Sequence, residues 1–476
     1  MTKKRILIAN RGEIASRIAK ACRELEHISI GVWTENEPHA RHLEFCDEWV
    51  LLPGKNNQET YLNIENIISV AKENDVDAIH PGYGFLSENA EFSKRLKEEG
   101  ITFIGPDHKV VGQMGDKAEA KELAQRVGVP VVPGSVGVVE TVKEAEKIAA
   151  EIGFPVLLKA VAGGGGRGLR PCFNNEDLST HFEAVQRESL SSFGNGDLLV
   201  EKFIENPRHI EVQILADKKG NVYHFFEREC SVQRRHQKII EEAPSPFIGD
   251  DEELRQNVCQ TAVKLAQSVG YDSAGTVEFI MGEDKNFYFL EMNTRIQVEH
   301  PITEEITGID LIVCMIQAAF EEDLAIPSQE WITRTGHAIE CRICAEDPIT
   351  MLPSPGTVTG FETNFPQGTR FDNCLYKGLE VTPDFDPMVG KLVTKGIRRN
   401  VAIRKMKVAL DGLFIEGLKT NVPLHLTILK NEKFIDGVYS TNFIKEECPQ
   451  EKVDTNFDHL KMYKMLATIE ARRMGF

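Results

Sequence analysis

Phe154-Pro155-Val156-Leu157-Leu158-Lys159-Ala160-Val161-Ala162-Gly163-Gly164-Gly165-Gly166-Arg167-Gly168-Leu169-Arg170-Pro171-Cys172-Phe173 is the stretch on which the fold turns. It begins as an apolar strand, Phe154 to Ala160, and runs into a glycine-rich loop. Glycines at 163, 165 and 168 match GxGxxG, but four consecutive glycines make that match nearly automatic. A dinucleotide-binding turn opens directly into a helix. Here Pro171 stands where that helix would grow, so a strand or flap follows instead. No Lys-Ser/Thr closes the run, which excludes a P-loop. What remains is a strand and a side-chain-free loop whose backbone N–H groups can approach phosphates. A plain flexible linker is the alternative these residues leave open.

Upstream, residues 1–114 alternate strand and helix. Arg5 to Ala9 and Ile28 to Trp33 read as strands, Ile64 to Lys72 as a helix, and Glu13 to Leu25 as a helix with Ile14, Ile18, Ala21 and Leu25 on one face. This predicts a parallel α/β sheet, with the loops Asn10-Arg11-Gly12 and Pro81 to Leu86 placed where ligands sit beyond strand ends. Residues 115–332 change to paired strands with helical inserts; the resemblance given below adds a flap over about 131–203. Residues 333–446 read as mostly β with one clear helix, Val401 to Leu413. A tail, 447–476, ends in a helix over 457–473.

Downstream of the glycines, Phe287 to Arg295 alternates so that Glu291, Asn293 and Arg295 share one face. Glu278 precedes them by one hairpin length. Two carboxylates and an amide oxygen are hard ligands suited to Mg²⁺ bound with nucleotide phosphates; a solvated face of ordinary ion pairs is the alternative. The basic cluster Arg234-Arg235-His236-Gln237-Lys238 is flanked by acidic residues, as if neutralised within a site. Lys117 and Lys159 supply further positive charge for a triphosphate.

The 476 residues carry 73 Asp+Glu against 55 Lys+Arg, a net charge of −18 that stays negative even with all 13 histidines protonated. A general nucleic-acid binder and an anionic-membrane binder are disfavoured by that sign. At ~100–200 residues per domain, the length fits about three domains. Met1 to Arg5 is basic, but only Ile6 to Ala9 is apolar before Asn10, so a secretory signal is not expected. The apolar run Leu311 to Phe320 is shorter than the ~18 residues of a spanning helix. Ten scattered cysteines fit free thiols and a cytoplasmic location. Cys341 and Cys344 form a CxxC on a strand, where their side chains are expected on opposite faces, against a metal or redox pair.

The motifs IANRGEIA (8–15), HPGYGFLSENA (80–90), FIGP (103–106), MGDK (114–117), GGGGRG (163–168), ENPRHIEVQ (205–213), ERECSVQRRHQK (227–238), EMNTRIQVEHPITE (291–304), ECRICAEDP (340–348) and FDPMVGKL (385–392) stand in order along the chain. Over roughly residues 3–446 the sequence resembles the biotin carboxylase component of biotin-dependent carboxylases, an ATP-grasp enzyme family. The resemblance implies an α/β and α+β protein: an ATP-grasp core, an N-terminal Rossmann-like domain and a mostly β C-terminal domain.

It also implies a site. Lys117, Lys159, Gly165, Gly166, Glu201, Lys202, Phe203, Ile204, His209, Gln233, His236, Glu278 and Glu291 match positions at MgATP. The hinge reads Phe203-Ile204 where Tyr-Leu is common. Glu278, Glu291 and Asn293 match ligands of two Mg²⁺ or Mn²⁺ ions. Lys238, Arg295, Gln297 and Val298 match the bicarbonate pocket, and Glu299 the base that deprotonates bicarbonate. Arg342 matches the residue that stabilises the biotin enolate, with Tyr83 and Val298 beside it and Gln233 nearby. The activity implied is ATP-dependent carboxylation of biotin through carboxyphosphate, as a subunit of an acyl-CoA or 2-oxoacid (pyruvate-type) carboxylase; the tail and FDPMVGKL lean slightly to the latter. No Ala/Val-Met-Lys-Met hairpin is found, since Lys405-Met406-Lys407-Val408 and Leu460-Lys461-Met462 do not match it. A separate biotin carboxyl carrier protein and a separate carboxyltransferase are therefore expected. A homodimer is also implied, using the region of the first helix that includes Arg17. Two alternatives are a different ATP-grasp ligase and a silent scaffold subunit; the intact set Lys238, Glu278, Glu291, Asn293, Arg295 and Glu299 speaks against the second.

Overall fold

The apolar run Ile6-Leu7-Ile8 has no solvent-exposed surface and forms the middle of a parallel sheet. Its strands are β1 (Arg5–Ile8), β2 (Ile28–Trp33), β3 (Glu48–Leu51), β4 (Ala78–His80) and β5 (Thr102–Phe103), in the order β3-β2-β1-β4-β5. The first helix, α1 (Gly12–Glu24), buries Ile14, Ile18 and Ala21, the face its apolar spacing predicts. Burying each such Ile contributes ~1.5–3 kcal/mol. The strand order reverses at β1, so the loops after β1 and β4 flank a switch-point crevice. Asn10 ties them together: its Nδ2 donates to the carbonyls of Pro81 at 2.7 Å and Tyr83 at 2.8 Å. The computed structural model describes residues 3–161, 169–193, 196–235 and 237–454, together with Ala471 and Met474. The glycine run with Gly165 and Gly166, His236 and nearly all of the expected terminal helix lie outside them.

The described chain divides into two compact units, one of residues 1–120, 209–278 and 291–476, the other of residues 121–208 and 279–290. In the second unit, β6 (Val156–Ala160) lies between β7 (Leu169–Cys172) and β8 (Leu198–Lys202), antiparallel to both. Thus a strand follows the glycines, and Pro171 sits on an edge strand, where its missing N–H costs no ladder bond. Val156, Leu158 and Ala160 alternate into a core with Leu178, Phe182 and Val185. Those three belong to the helix Asn175–Phe193, which the sequence reading missed.

The strands continue as β9 (Arg208–Ala216), β10 (Val222–Arg234), β11 (Gln237–Ala243), β12 (Ala274–Met281) and β13 (Phe287–Asn293). They are followed by β14 (His337–Cys344), β15 (Gly356–Thr357), β16 (Gly360–Thr363), β17 (Thr369–Asn373), β18 (Glu380–Val381), β19 (Met388–Gly396) and β20 (Leu413–Glu416). One eight-stranded sheet takes the order β13-β12-β9-β10-β11-β14-β19-β17. The basic cluster is a hairpin within it: β10 runs to Arg234, Arg235 has φ 50°, and Arg234 pairs with Gln237. The C-terminal helix spans Arg399–Asp411 rather than Val401 to Leu413, because Leu413 already belongs to β20; the helix Val422–Lys430 was not anticipated. All ten cysteines are free and buried, and Cys341 packs with Ile339 and Ile343 in the core under β14. Among the described residues, no helix is long and apolar enough to cross a membrane.

Candidate active site

Strand alternation places Glu241, Glu340, Arg342 and Lys391 on one face of the sheet. Glu241 lies opposite Glu340 across β11 and β14, and Arg342 opposite Lys391 across β14 and β19. The loop Gln297-Val298-Glu299 and the helix His300–Thr307 cover this face, where Ile302 and Ile306 pack on Ala243, Ala338 and Val393.

Lys238 is the hub. Its Nζ lies 2.5 Å from Glu211 Oε2, 2.9 Å from Glu278 Oε1 and 2.7 Å from Glu299 Oε1. Burial would lower the lysine pKa, but the three carboxylates outweigh it and hold the ammonium well above its ordinary range. The other oxygen of Glu299 accepts from Arg342 Nη2 at 3.0 Å, while Arg342 Nε donates to Glu241 at 2.5 Å. Burial alone would raise Glu299; Lys238, Arg342 and Arg228 together hold it well below the usual carboxylate range. It is an anion clamped between two cations.

Glu278 gathers the neighbouring groups. Its Oε1 accepts from Asn293 Nδ2 at 2.8 Å and Gln297 Nε2 at 2.7 Å, and its Oε2 lies 2.8 Å from His209 Nε2. Burial works against His209 protonation, but Glu278 outweighs it and raises the imidazole pKa. Glu291 is less buried and stands 3.3 Å from Lys117 Nζ. Asn293 Oδ1 accepts from Arg295 Nη2 at 3.0 Å, and Arg295 Nε donates to Glu88 at 2.8 Å. The donor set fits a hard divalent ion, being two carboxylates and an amide oxygen now compensated by protein cations and N–H groups. A second cluster, His209, Glu211 and Glu278, also has ligand atoms within 4.8 Å of one another.

The remaining expected residues fall as follows. Tyr83 OH donates to Glu13, and Val298 O accepts from Lys391 Nζ at 2.8 Å. Gln233 lies directly across from Lys238 on β10. In the second unit, Lys159 is 3.5 Å and Lys121 2.7 Å from the Glu201 carboxylate. Lys202 Nζ donates to the carbonyls of Gly153 and Phe154 at 3.0 and 2.9 Å, and Phe203 N to that of Pro155 at 3.0 Å, with Ile204 next along the chain.

Sequence reasoning missed the groups beneath these. Arg228 is fully buried and donates to Glu211 (2.5 Å), Gln213 (2.7 Å), Thr303 (3.0 Å), Thr276 (3.1 Å) and Gln297 (2.7 Å). It connects Gln297 to Glu211 and thereby to Lys238. A signal existed for Glu211, two residues after His209 on the same strand; for Glu88 and Glu340 there was none beyond their presence inside motifs, and for Glu241 none beyond its place just after the basic cluster.

Comparison with known proteins agrees along the chain. Residues 2–111 match the family model of the biotin carboxylase N-terminal domain, 116–326 that of the carbamoyl-phosphate synthase L chain ATP-binding domain, and 340–446 that of the biotin carboxylase C-terminal domain. Biotin carboxylase 2 of Bacillus subtilis is 49% identical over 442 residues, covering 93% of this chain and 99% of its own. The 2-oxoglutarate carboxylase small subunit of Hydrogenobacter thermophilus is 49% identical over 444 residues, 93% of each chain. The crystal structure of the biotin carboxylase domain dimer of the Hydrogenobacter enzyme, in complex with MgADP, ADP and bicarbonate, superposes with a TM-score of 0.84 at 48% identity, covering 95% of this chain and 98% of that one. Three consecutive domain matches and near-complete coverage by such relatives place the chain in the biotin carboxylase family of ATP-grasp ligases.

Proposed function

We propose that this chain uses ATP to activate bicarbonate as carboxyphosphate and carboxylates the ureido nitrogen of biotin. The observation that carries the reading is the position of Glu299, whose two oxygens are held by Lys238 on the side of Glu278 and by Arg342 on the other. One carboxylate thereby links the residues assigned to nucleotide and metal with the residue assigned to biotin.

In this reading Lys238, Arg295, Gln297 and the Val298 backbone bind bicarbonate. As Lys238 and Arg342 turn to substrate, Glu299 loses part of what depresses its pKa and gains the basicity to take the bicarbonate proton. Glu278, Glu291 and Asn293 would hold the metal, which when bound offsets charge on the transferring phosphoryl group. Lys117, Lys159, Glu201, Lys202, Phe203, Ile204, His209, Gln233 and His236, with Gly165 and Gly166, are the residues assigned to the nucleotide by their match to the family's motifs. Carboxyphosphate gives carbon dioxide and phosphate beside biotin. Arg342, cationic in any surroundings, stabilises the enolate, with Tyr83 and Val298 bordering it.

The domains are taken as 1–114, 115–332 and 333–446, with a tail at 447–476. The relatives named as subunits and the dimer of the Hydrogenobacter domain support a homodimeric carboxylase subunit served by a separate biotin carrier protein and carboxyltransferase, and the free thiols are the ground for proposing a cytoplasmic location. The same relative supports a 2-oxoacid acceptor for the complete system. The test is ADP release: it should require bicarbonate, rise with free biotin, and be lost in Glu299→Gln and Arg295→Ala. Turnover independent of biotin sinks the function, and wild-type turnover in those variants sinks the roles.

A further inference from the structure

Glu241 and Glu340 face each other across β11 and β14 with their side chains on the same buried face. Directly opposed residues of an antiparallel pair have Cβ atoms about 4.5–5.5 Å apart. Neither residue has measurable solvent exposure. Glu241 Oε1 accepts from Arg342, but Glu241 Oε2 and both oxygens of Glu340 have no hydrogen-bond partner among the described residues.

Two buried anions cannot stand side by side in this condition. An unpaired carboxylate in a low-dielectric interior takes up a proton instead, and two carboxyls sharing one site do so most readily. Nor is a cation left over to neutralise Glu340. Lys391 Nζ donates to Val298 O and lies 3.3 Å from Glu13, and Lys238 already serves three carboxylates. Of the other groups facing the pair, Glu299 is an anion, Tyr83 is a neutral phenol bonded to Glu13, and Arg342 is shared by Glu241 and Glu299. The electrostatics agree with the geometry. Burial first, with Glu299 adding, lifts Glu241 to about 7 against the pull of Arg342 and Lys238. Burial and Glu241 carry Glu340 well above the usual range despite Lys391.

We propose that Glu241 and Glu340 share one proton, and that this proton removes one negative charge from beside Arg342 that would otherwise oppose the biotin enolate. The inference rests on the assignment of Arg342 to biotin made above. With the pair doubly ionised, Arg342 would be outnumbered by Glu241, Glu340 and Glu299, and a developing enolate would meet a negative site. With one proton held there, Glu241 still anchors the guanidinium while Glu340 adds no charge. Both are positioning residues; neither touches substrate.

The experiment combines a rate profile with infrared spectroscopy on the full chain. In the wild type, kcat/KM for biotin should fall on the alkaline side, with the midpoint at which a buried carboxylic-acid C=O band disappears. Glu340→Gln keeps the shape and is permanently neutral, so it should remove that band and move the alkaline limb upward by about one pH unit or more. An unmoved limb in Glu340→Gln, or no acid band in the wild type at neutral pH, overturns the proposal. The wild-type band serves alone if the variant does not fold. Arg342→Ala separates the two layers: if it still responds to biotin, the assignment of Arg342 fails and the proposal with it. If it has lost the response while the limb in Glu340→Gln is unmoved, the proposal alone fails.

Discussion

Replacing Arg228 by methionine tests whether the buried guanidinium holds the bicarbonate pocket in shape. The two side chains have similar length, so the change removes charge and donors more than volume. Arg228 and Glu211 both have fully buried side chains, and their contact is 2.5 Å. After Arg228→Met, Glu211 keeps Lys238 at 2.5 Å and His209 at 3.9 Å, and Gln213, Thr303, Thr276 and Gln297 each lose the guanidinium. Removing one partner of a buried pair costs ~3–5 kcal/mol, because the other charge stays behind. Against ~5–15 kcal/mol for a folded domain this is a large fraction. Urea denaturation of the full chain should show a midpoint lowered accordingly with an unchanged slope. Adding Glu211→Gln removes the stranded charge, so the double variant should recover ~1–3 kcal/mol rather than lose more. Gln297, now held only by Glu278, should raise the KM for bicarbonate roughly tenfold with a smaller change in kcat. An Arg228→Met chain within ~1 kcal/mol of wild type, with unchanged bicarbonate KM, refutes the reasoning, since a fully bonded buried arginine cannot be removed silently.

Two further outcomes follow from single side chains. Glu88 is 41% exposed on its side chain and orients Arg295 from outside, so Glu88→Ala should cost ~1 kcal/mol in bicarbonate binding, roughly a fivefold rise in KM with kcat nearly kept, as Asn293 still holds Arg295; steady-state kinetics at varied bicarbonate checks it. His425 donates Nε2–H to Arg342 O at 2.8 Å, and burial lowers its pKa to about 4. Its contribution is full above pH ~6.5 and is lost as pH falls towards 4, because the unfolded chain binds the proton first. His425→Gln should therefore reduce the slope of stability against pH in that window by ~1.4 kcal/mol per unit, as read by urea midpoints at stepped pH.

Legibility in the sequence followed the range of the interaction. Period-two alternation put Glu291, Asn293 and Arg295 together, and Asn293 and Arg295 do bond each other. Helical spacing marked Ile14, Ile18 and Ala21 as buried. The strand after the glycines followed from one misplaced proline. The groups beneath the site were not visible, because their meaning is set by register between strands distant in sequence. Glu241 and Glu340 acquire a relation only when β11 pairs with β14, and Arg228 reaches Glu211 only because β10 lies beside β9. The helix Asn175–Phe193 escaped for a local reason: Leu178, Phe182 and Val185 are helically spaced but diluted by polar neighbours.

The acidic balance of the chain also takes a different meaning in the fold. From sequence, Lys117, Lys159, Lys202, His209, His236, Lys238, Arg295 and Arg342 read as a positive pocket held against a net charge of −18. The structure adds partners to the described members of this set. Lys117 faces Glu291, Lys159 Glu201, His209 Glu278, Arg295 Glu88, Lys238 three carboxylates and Arg342 two, while Lys202 is bonded to backbone carbonyls. A cation withdrawn from water must be paired, and the protein supplies the partner while substrate is absent. Binding of an anionic substrate is then an exchange of one carboxylate or phosphate oxygen for another, in which bulk attraction largely cancels. On the proposed assignment, what would distinguish bicarbonate is geometry: donors on Lys238, Gln297 and Arg295, backed by Arg228 and Glu278. On the same assignment, that exchange would release Glu299 from Lys238 and Arg342 when it must accept a proton, so the carboxylates that pair the pocket would also time its chemistry.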